Sequence, residues 1–174
     1  MKHNVQLINK IEINVIKLTR ADRRLLEALQ KDVTPSQDEL AEIAGMSRTS
    51  CWRRMREFEK NGVLQKQVAL LSPRKLGFQI HVLLAVAMVE HTDANRDSFE
   101  VHVQSLPEVT ECYSVSGERD YILQVVTTDM DAYNQFINAQ ILHHPAVRSA
   151  SSTFALRRVK YSTALPLSLI QLGA

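Results

Sequence analysis

The stretch Ser36-Gln-Asp-Glu-Leu-Ala-Glu-Ile-Ala-Gly45-Met-Ser-Arg-Thr-Ser-Cys-Trp-Arg-Arg-Met-Arg-Glu-Phe-Glu-Lys60-Asn-Gly62 decides how the front of this chain folds. Ser36 is a good N-cap, and Glu39 three residues later completes a capping box. Leu40, Ile43 and Ala44 give one apolar stripe at helical spacing. Gly45 can take the left-handed conformation that ends a helix, and Ser47 can cap the next one. The spacing predicts two short helices joined by a glycine-containing turn, the arrangement of a helix-turn-helix. At about 100° per residue, Cys51, Met55 and Phe58 then share one face of the second helix. Thr49, Arg53, Arg56 and Lys60 lie roughly opposite, with Arg48 in the first turn. A cationic outward stripe suits a helix in the DNA major groove, where arginine bonds phosphates or guanine edges. The plainer alternative is a surface helix that happens to be basic.

Working outward, Thr19 caps an earlier helix with Asp22 at its positive end. Leu25, Leu26 and Leu29 form its buried face, and it ends near Asp32. Three helices therefore precede Gly62. Residues 1–18 fit both a strand (Val5, Leu7, Ile11, Ile13, Val15) and a helical stripe (Ile8, Ile11, Val15, Leu18), and are expected to be an extension packed on a neighbour. Residues 63–71 look extended, a small wing or linking strand, and Ser72-Pro73 and Gly77 punctuate the junction. Ser72-Pro73-Arg74-Lys75 fits the Ser-x-x-Lys pattern of certain serine acyltransferases, but the companion motifs are missing and a Ser-Pro turn explains the residues.

From Gln79 the pattern changes. Residues 80–89 form a β-rich run. Thr92 or Asp93 caps a helix carrying Phe99, Val103 and Leu106, stopped by Pro107. Val109, Glu111, Tyr113 and Val115 alternate with Thr110, Cys112, Ser114 and Ser116 in a second strand. Residues 117–120 turn, and residues 121–127 return as a third strand. Asp129 caps a helix carrying Met130, Tyr133, Ile137 and Ile141, broken by His143-His144-Pro145; residues 149–161 form a fourth strand. The order β-α-β-β-α-β predicts a ferredoxin-like fold. Its helices cover one sheet face only, so a second subunit is the economical cover for the other.

Composition narrows the function. Residues 1–66 hold 13 Lys/Arg against 9 Asp/Glu, and residues 67–174 hold 8 against 10, which points to separate jobs for the two halves. Cys51 and Cys112 are far apart and lack paired Cys/His spacing, which argues against a disulfide framework or zinc site and fits a reducing cytosol. The longest apolar run, residues 82–89, is too short to span a bilayer. The six histidines follow no ligand spacing, so no metal is expected; carboxylates occur singly and no Gly-rich phosphate loop is present, so neither a cofactor nor a catalytic residue is expected and the chain does not read as an enzyme. A soluble intracellular protein is expected.

Several runs, taken in order, resemble one family. In the front half they are Asp22-Arg23-Arg24-Leu25-Leu26 with Leu29-Gln30-Lys31-Asp32, Glu39-Leu40-Ala41, Ser47 through Met55, and Leu71-Ser72-Pro73 with Leu76-Gly77. In the back half they are Val115-Ser116-Gly117-Glu118-Arg119-Asp120-Tyr121, Asp129-Met130-Asp131-Ala132-Tyr133 and Thr163-Ala164-Leu165-Pro166-Leu167. Across residues 19–165 the chain resembles the leucine-responsive regulator/AsnC (Lrp/AsnC, feast/famine) family of transcription regulators. The resemblance implies an α+β chain, a winged helix-turn-helix domain followed by a ferredoxin-like domain. Its expected parts are an extension (1–18), the DNA-binding domain (19–66), a linker strand (67–78) and an effector-binding and oligomerisation domain (79–174).

The same resemblance implies double-stranded DNA as partner. The residues expected to meet it are Ser36, Ser47, Arg48, Thr49, Ser50, Trp52, Arg53, Arg56 and Lys60. It implies homodimers assembling into tetramers or octamers, a cytoplasmic, nucleoid-associated location with no membrane, and an amino-acid effector. The effector site would be the turn Ser116, Gly117, Glu118, Arg119, Asp120 and Tyr121. A Gly-bearing turn can present backbone N–H groups to a carboxylate, and Asp120 can receive an ammonium; ordinary hairpin-turn residues are the plainer alternative. An architectural DNA-compacting protein without a ligand is the competing function.

Overall fold

The computed structural model describes residues 15–173; the packed extension expected over residues 1–18 lies, up to residue 14, outside the described residues. The chain forms two units, the first ending at Leu70 and completed by the segment from Lys160 onward, the second Leu71–Val159. The first contains three helices: α1 (Arg20–Lys31), α2 (Gln37–Ala44) and α3 (Arg48–Lys60). Thr19 Oγ1 accepts from Asp22 N–H and the Asp22 carboxylate answers Thr19 N–H, a reciprocal cap that satisfies two otherwise orphaned donors. Ser36 and Glu39 repeat the device on α2. Gly45 ends α2 at φ +68°, a left-handed conformation that favours glycine; a Cβ there would meet only the movable end of Arg24, Nη2 at 2.8 Å. Leu25, Leu26, Leu29, Leu40, Ala44, Cys51 and Phe58 form the core, joined by Leu18.

The second unit holds β1 (Ile80–Met88), α4 (Asp93–Gln104), β2 (Val109–Ser114), β3 (Tyr121–Thr127), α5 (Met130–Phe136) and β4 (Val147–Phe154). The sheet is antiparallel in the order β2-β3-β1-β4, the ferredoxin-like arrangement. Val82, Leu84 and Val86 of β1 and Leu123 and Val125 of β3 face α4 and α5 through Phe99, Val103, Tyr133 and Phe136. The opposite face carries Leu83, Ile122, Val126 and Tyr113. Across it runs a polar track: His81 meets Gln124 at 3.2 Å, Gln124 Nε2 donates to Glu111 at 2.7 Å, and Tyr113 O–H also donates to Glu111.

Four expectations are corrected. The alternation along β2 breaks at a bulge: Val109 pairs with Val125, yet Glu111 pairs with Gln124. The extra residue flips the phase, so Val109 and Cys112 face the helices while Glu111 and Tyr113 face outward. After α5 the chain winds as a π-helix, Ile137–Leu142. Tyr133, Phe136 and Ile141 are buried with Ile137 packed against them, while Met130, in the first turn of α5, is exposed. The fourth strand ends at Phe154, not 161. The second unit stops at Val159 and does not run to 174, because Leu167 packs into the helical core of the first unit. Val63 and Leu64 N–H still donate to Phe58 O at the end of α3, and residues 65–71 carry no helix or strand and, among the described residues, join no strand ladder.

Candidate nucleic-acid interface and effector turn

The reading surface is built from α3 outward. Ser47 caps it, its Oγ accepting from Ser50 N–H at 3.3 Å and donating to Ser50 Oγ at 3.0 Å. Cys51 and Phe58 anchor the inner face, which fixes the helix's rotation about its axis. Arg48, Thr49, Trp52, Arg53, Arg56 and Lys60 are consequently exposed on the outer side, Trp52 at 52%. The Arg56 guanidinium lies 5.6 Å from the Trp52 ring centroid, a cation–π pairing that leaves both groups at the surface. Ser36, by contrast, spends its hydroxyl and its N–H on the α2 cap.

The charges on this face are not equivalent. Arg48 Nε lies 3.3 Å from Asp38 of α2, and Arg56 Nη1 2.9 Å from Glu59. Arg53 and Lys60 form no ion pair among the described residues, so they can meet a phosphate or base without displacing a partner. Arg54, one residue on, points the other way: its Nε and Nη2 donate to the two oxygens of Asp22 at 2.7 and 2.8 Å, and Nη1 reaches Glu57 at 2.5 Å. Asp38 was missed by pattern reading; the only signal was an acidic residue in the first turn of α2, where helix-dipole arguments already explain it.

The turn between β2 and β3 is closed by Val115 N–H donating to Asp120 O at 2.9 Å and Asp120 N–H to Val86 O at 2.9 Å. Gly117 takes φ +128°, a conformation that disfavours any side chain, though open space surrounds it. Among the described residues, no backbone hydrogen bond uses the N–H of Gly117, Glu118 or Arg119, leaving donors for an anion. Asp120 is more occupied than its sequence context suggests. Its Oδ2 accepts from Met88 N–H at 2.8 Å and its Oδ1 lies 3.0 Å from His91 Nδ1. Arg119 reaches Ser149 Oγ at 3.4 Å, while Ser116 and Glu118 are exposed.

Tyr121 is brought elsewhere. Its ring is buried against Phe99 at 4.9 Å and its hydroxyl donates to Glu100 at 2.7 Å, and burial followed by that carboxylate pushes its pKa well up. Beside the turn, α4 and β2 enclose a cleft of about 460 Å³ lined by Glu100, Gln104, Thr110, Cys112, Ser114 and Tyr121. Burial and then Glu100 push the Cys112 thiol up to about 11, so it is a neutral thiol at pH 7 and a poor nucleophile. Such a cleft can bind a small molecule. Among the described residues no three His, Cys, Asp or Glu side chains gather as a metal site, and no helix is long and apolar enough to cross a membrane.

A helix-turn-helix with a cationic reading face, joined to a ferredoxin-like domain with a cleft, defines a DNA-binding regulator with a ligand-binding domain. Residues 18–65 match the winged helix-turn-helix DNA-binding family model, and residues 81–165 that of the Lrp/AsnC ligand binding domain. The chain is 34% identical over 150 residues to the DNA-binding transcriptional activator DecR of Escherichia coli, covering 86% of this chain and 99% of that protein. It is also 34% identical to the Escherichia coli leucine-responsive regulatory protein, over 85% of this chain and 90% of the relative. Two solved structures are similar. A transcriptional regulator of Neisseria meningitidis in complex with L-Met gives a TM-score of 0.81 at 33% identity, covering 86% of this chain and 97% of that one. An AsnC family regulator of Agrobacterium tumefaciens gives 0.82 at 38%, covering 88% and 100%. The chain belongs to the Lrp/AsnC family of transcription regulators.

Proposed function

We propose that this regulator recognises specific promoter sequences through α3 and changes its DNA affinity or assembly state when a free amino acid binds at residues 116–121. The observation that carries the DNA half is the outer face of α3, where Arg53 and Lys60 stand without acidic partners. Supporting the effector half are the unused N–H groups at Gly117 to Arg119 and the L-Met bound by the meningococcal relative. The effector's carboxylate takes the turn's N–H groups. Its ammonium takes a carboxylate, either Asp120, by sharing it with Met88 N–H and His91, or Glu100 in the adjoining cleft. A dimer joined through the open sheet faces, and higher assemblies of it, form the working unit in the cytoplasm.

The test is a thermal-shift panel of single amino acids on the purified protein, since a ligand that binds only the folded state raises its stability. The best ligand is then titrated by calorimetry into wild type, Asp120→Asn and Glu100→Gln, beside a DNA-binding assay on its own promoter region. Weaker ligand binding with basal DNA affinity retained supports the assignment. Unchanged affinity in both variants moves the pocket elsewhere, and silence across the panel favours an architectural DNA-compacting role.

A further inference from the structure

We propose that Trp52 and Arg56 read DNA as one stacked unit on α3, the indole against the 5-methyl group of a thymine and the guanidinium on a guanine of the neighbouring base pair. The inference rests on the DNA-binding reading of α3 and does not need the effector. Trp52 is the chain's one tryptophan and is 52% exposed.

The helical core does not call for an aromatic ring there. Cys51 and Phe58 already anchor the inner face, and position 52 lies about 100° round the helix from Cys51. Counting on round the axis, Arg56, Thr49, Lys60 and Arg53 follow, all exposed, so the indole borders the cationic stripe. It also stands in the N-terminal half of α3, the part of a reading helix that meets base edges. In the major groove the thymine methyl is the apolar feature that an exposed ring can cover.

Arg56 stands one turn further on and leans back over the ring, its guanidinium carbon 5.6 Å from the centroid. Glu59 holds its Nη1 at 2.9 Å from the other side. Two contacts thus orient the guanidinium in advance, and less side-chain freedom is lost when it binds. The carboxylate also decides what this arginine meets. Beside a phosphate, Glu59 would be repelled, whereas guanine O6 and N7 are neutral acceptors that a guanidinium bonds with two N–H groups. Base pairs stack about 3.4 Å apart, so a ring and a guanidinium in contact suit a thymine methyl and a guanine edge on adjacent pairs.

The test uses the full chain and a duplex that it selects from a random-sequence pool, with binding followed by anisotropy at one fixed salt concentration. Thymines are replaced one at a time by uracil, which lacks the 5-methyl group, and guanines by 7-deazaguanine, which lacks N7. In wild type, uracil at one position should weaken binding about fourfold, as loss of one buried methyl does. Deazaguanine at the adjacent pair should weaken it about fivefold. Trp52→Ala should be indifferent to that uracil and Arg56→Ala to that deazaguanine, while Trp52→Phe keeps part of the methyl effect. Fluorescence of the one tryptophan should lose its access to acrylamide in the wild-type complex. A wild type unmoved by uracil at every thymine, or a methyl effect that persists in Trp52→Ala, overturns the methyl contact. A sensitive guanine that is not adjacent, or one still sensed by Arg56→Ala, overturns the pairing. Trp52 still open to acrylamide in the complex overturns its placement. A wild type that binds no duplex at all is a separate failure, that of the DNA reading itself.

Discussion

Asp22 does two jobs with one carboxylate: it closes the cap of α1 and receives both nitrogens of the Arg54 fork. Burial by itself would push its pKa up. The Arg54 hydrogen bonds, then those from Thr19, outweigh that and hold it below the usual carboxylate range. Removing the arginine would leave the buried carboxylate unpaired, so Arg54→Ala should destabilise the reading unit by about 3 kcal/mol in urea unfolding. Because the folded pKa is depressed, the stabilisation is complete above the unfolded value of about 3.9 and is lost as pH falls through the folded value. Asp22→Asn should flatten that acid limb. On the outer face, Arg53→Ala should weaken promoter binding by about 1–3 kcal/mol and relax specificity at one position if it reads a base. If it grips a phosphate, the salt slope should fall by about one instead. The place of Asp22 at the positive end of α1 was legible from the Thr19 cap; its reciprocal bond to Thr19 N–H was not. Nor was its partner, since nothing in local spacing ties position 22 to position 54.

Among elements, the least regular is the helix after β3. Its π-helical end, Ile137–Leu142, brings His144 beside α4, edge-on to Phe99 at 5.5 Å and 5.1 Å from the His102 ring. His102 Nε2–H donates to Gln140 O at 2.7 Å, and His144 Nδ1 accepts from Ala146 N–H at 3.3 Å. Burial, and then repulsion from His102, lowers the His144 pKa from its ordinary value. The unfolded chain therefore binds a proton near pH 6.5 while the folded one resists. The sheet unit should be at full stability above that pH and should lose up to about 1.4 kcal/mol per pH unit just below it. His144→Gln should remove that dependence in thermal melts between pH 7.5 and about 5. Helical periodicity placed Tyr133, Ile137 and Ile141 on the core but missed Phe136, and it counted Met130 of the exposed first turn as buried.

For the whole molecule, the open sheet face raises the question of what covers it. Leu83 is 42% exposed at its centre, flanked by Ile122 and Val126 and crossed by the His81–Gln124–Glu111–Tyr113 track. Burying such a face against a second copy removes apolar area from water and encloses the polar track with its hydrogen bonds already made. Leu83→Asp should therefore shift sedimentation equilibrium from dimer or larger towards monomer, by several kcal/mol of association energy. The thermal midpoint would then fall with dilution. A wild-type monomer at micromolar concentration would overturn this assembly.

The sequence alone determined the elements and their order, because caps, glycine stops and apolar periodicity act within a few residues. Ser36 with Glu39, Gly45, Ser47 and Asp129 each do locally what their spacing promised. It also determined the outer face of α3, since Cys51 and Phe58 can be buried in only one rotation. Tertiary structure alone decided everything that depends on partners far along the chain. A bulge reversed the faces of β2, Asp120 was drawn to Met88 N–H and His91, and Tyr121 turned inward to Glu100. Above all, Leu167 returned to the first unit's core, 142 residues from Leu25, because an apolar side chain is buried wherever the folded chain leaves room for it, and sequence distance carries no information about where that is.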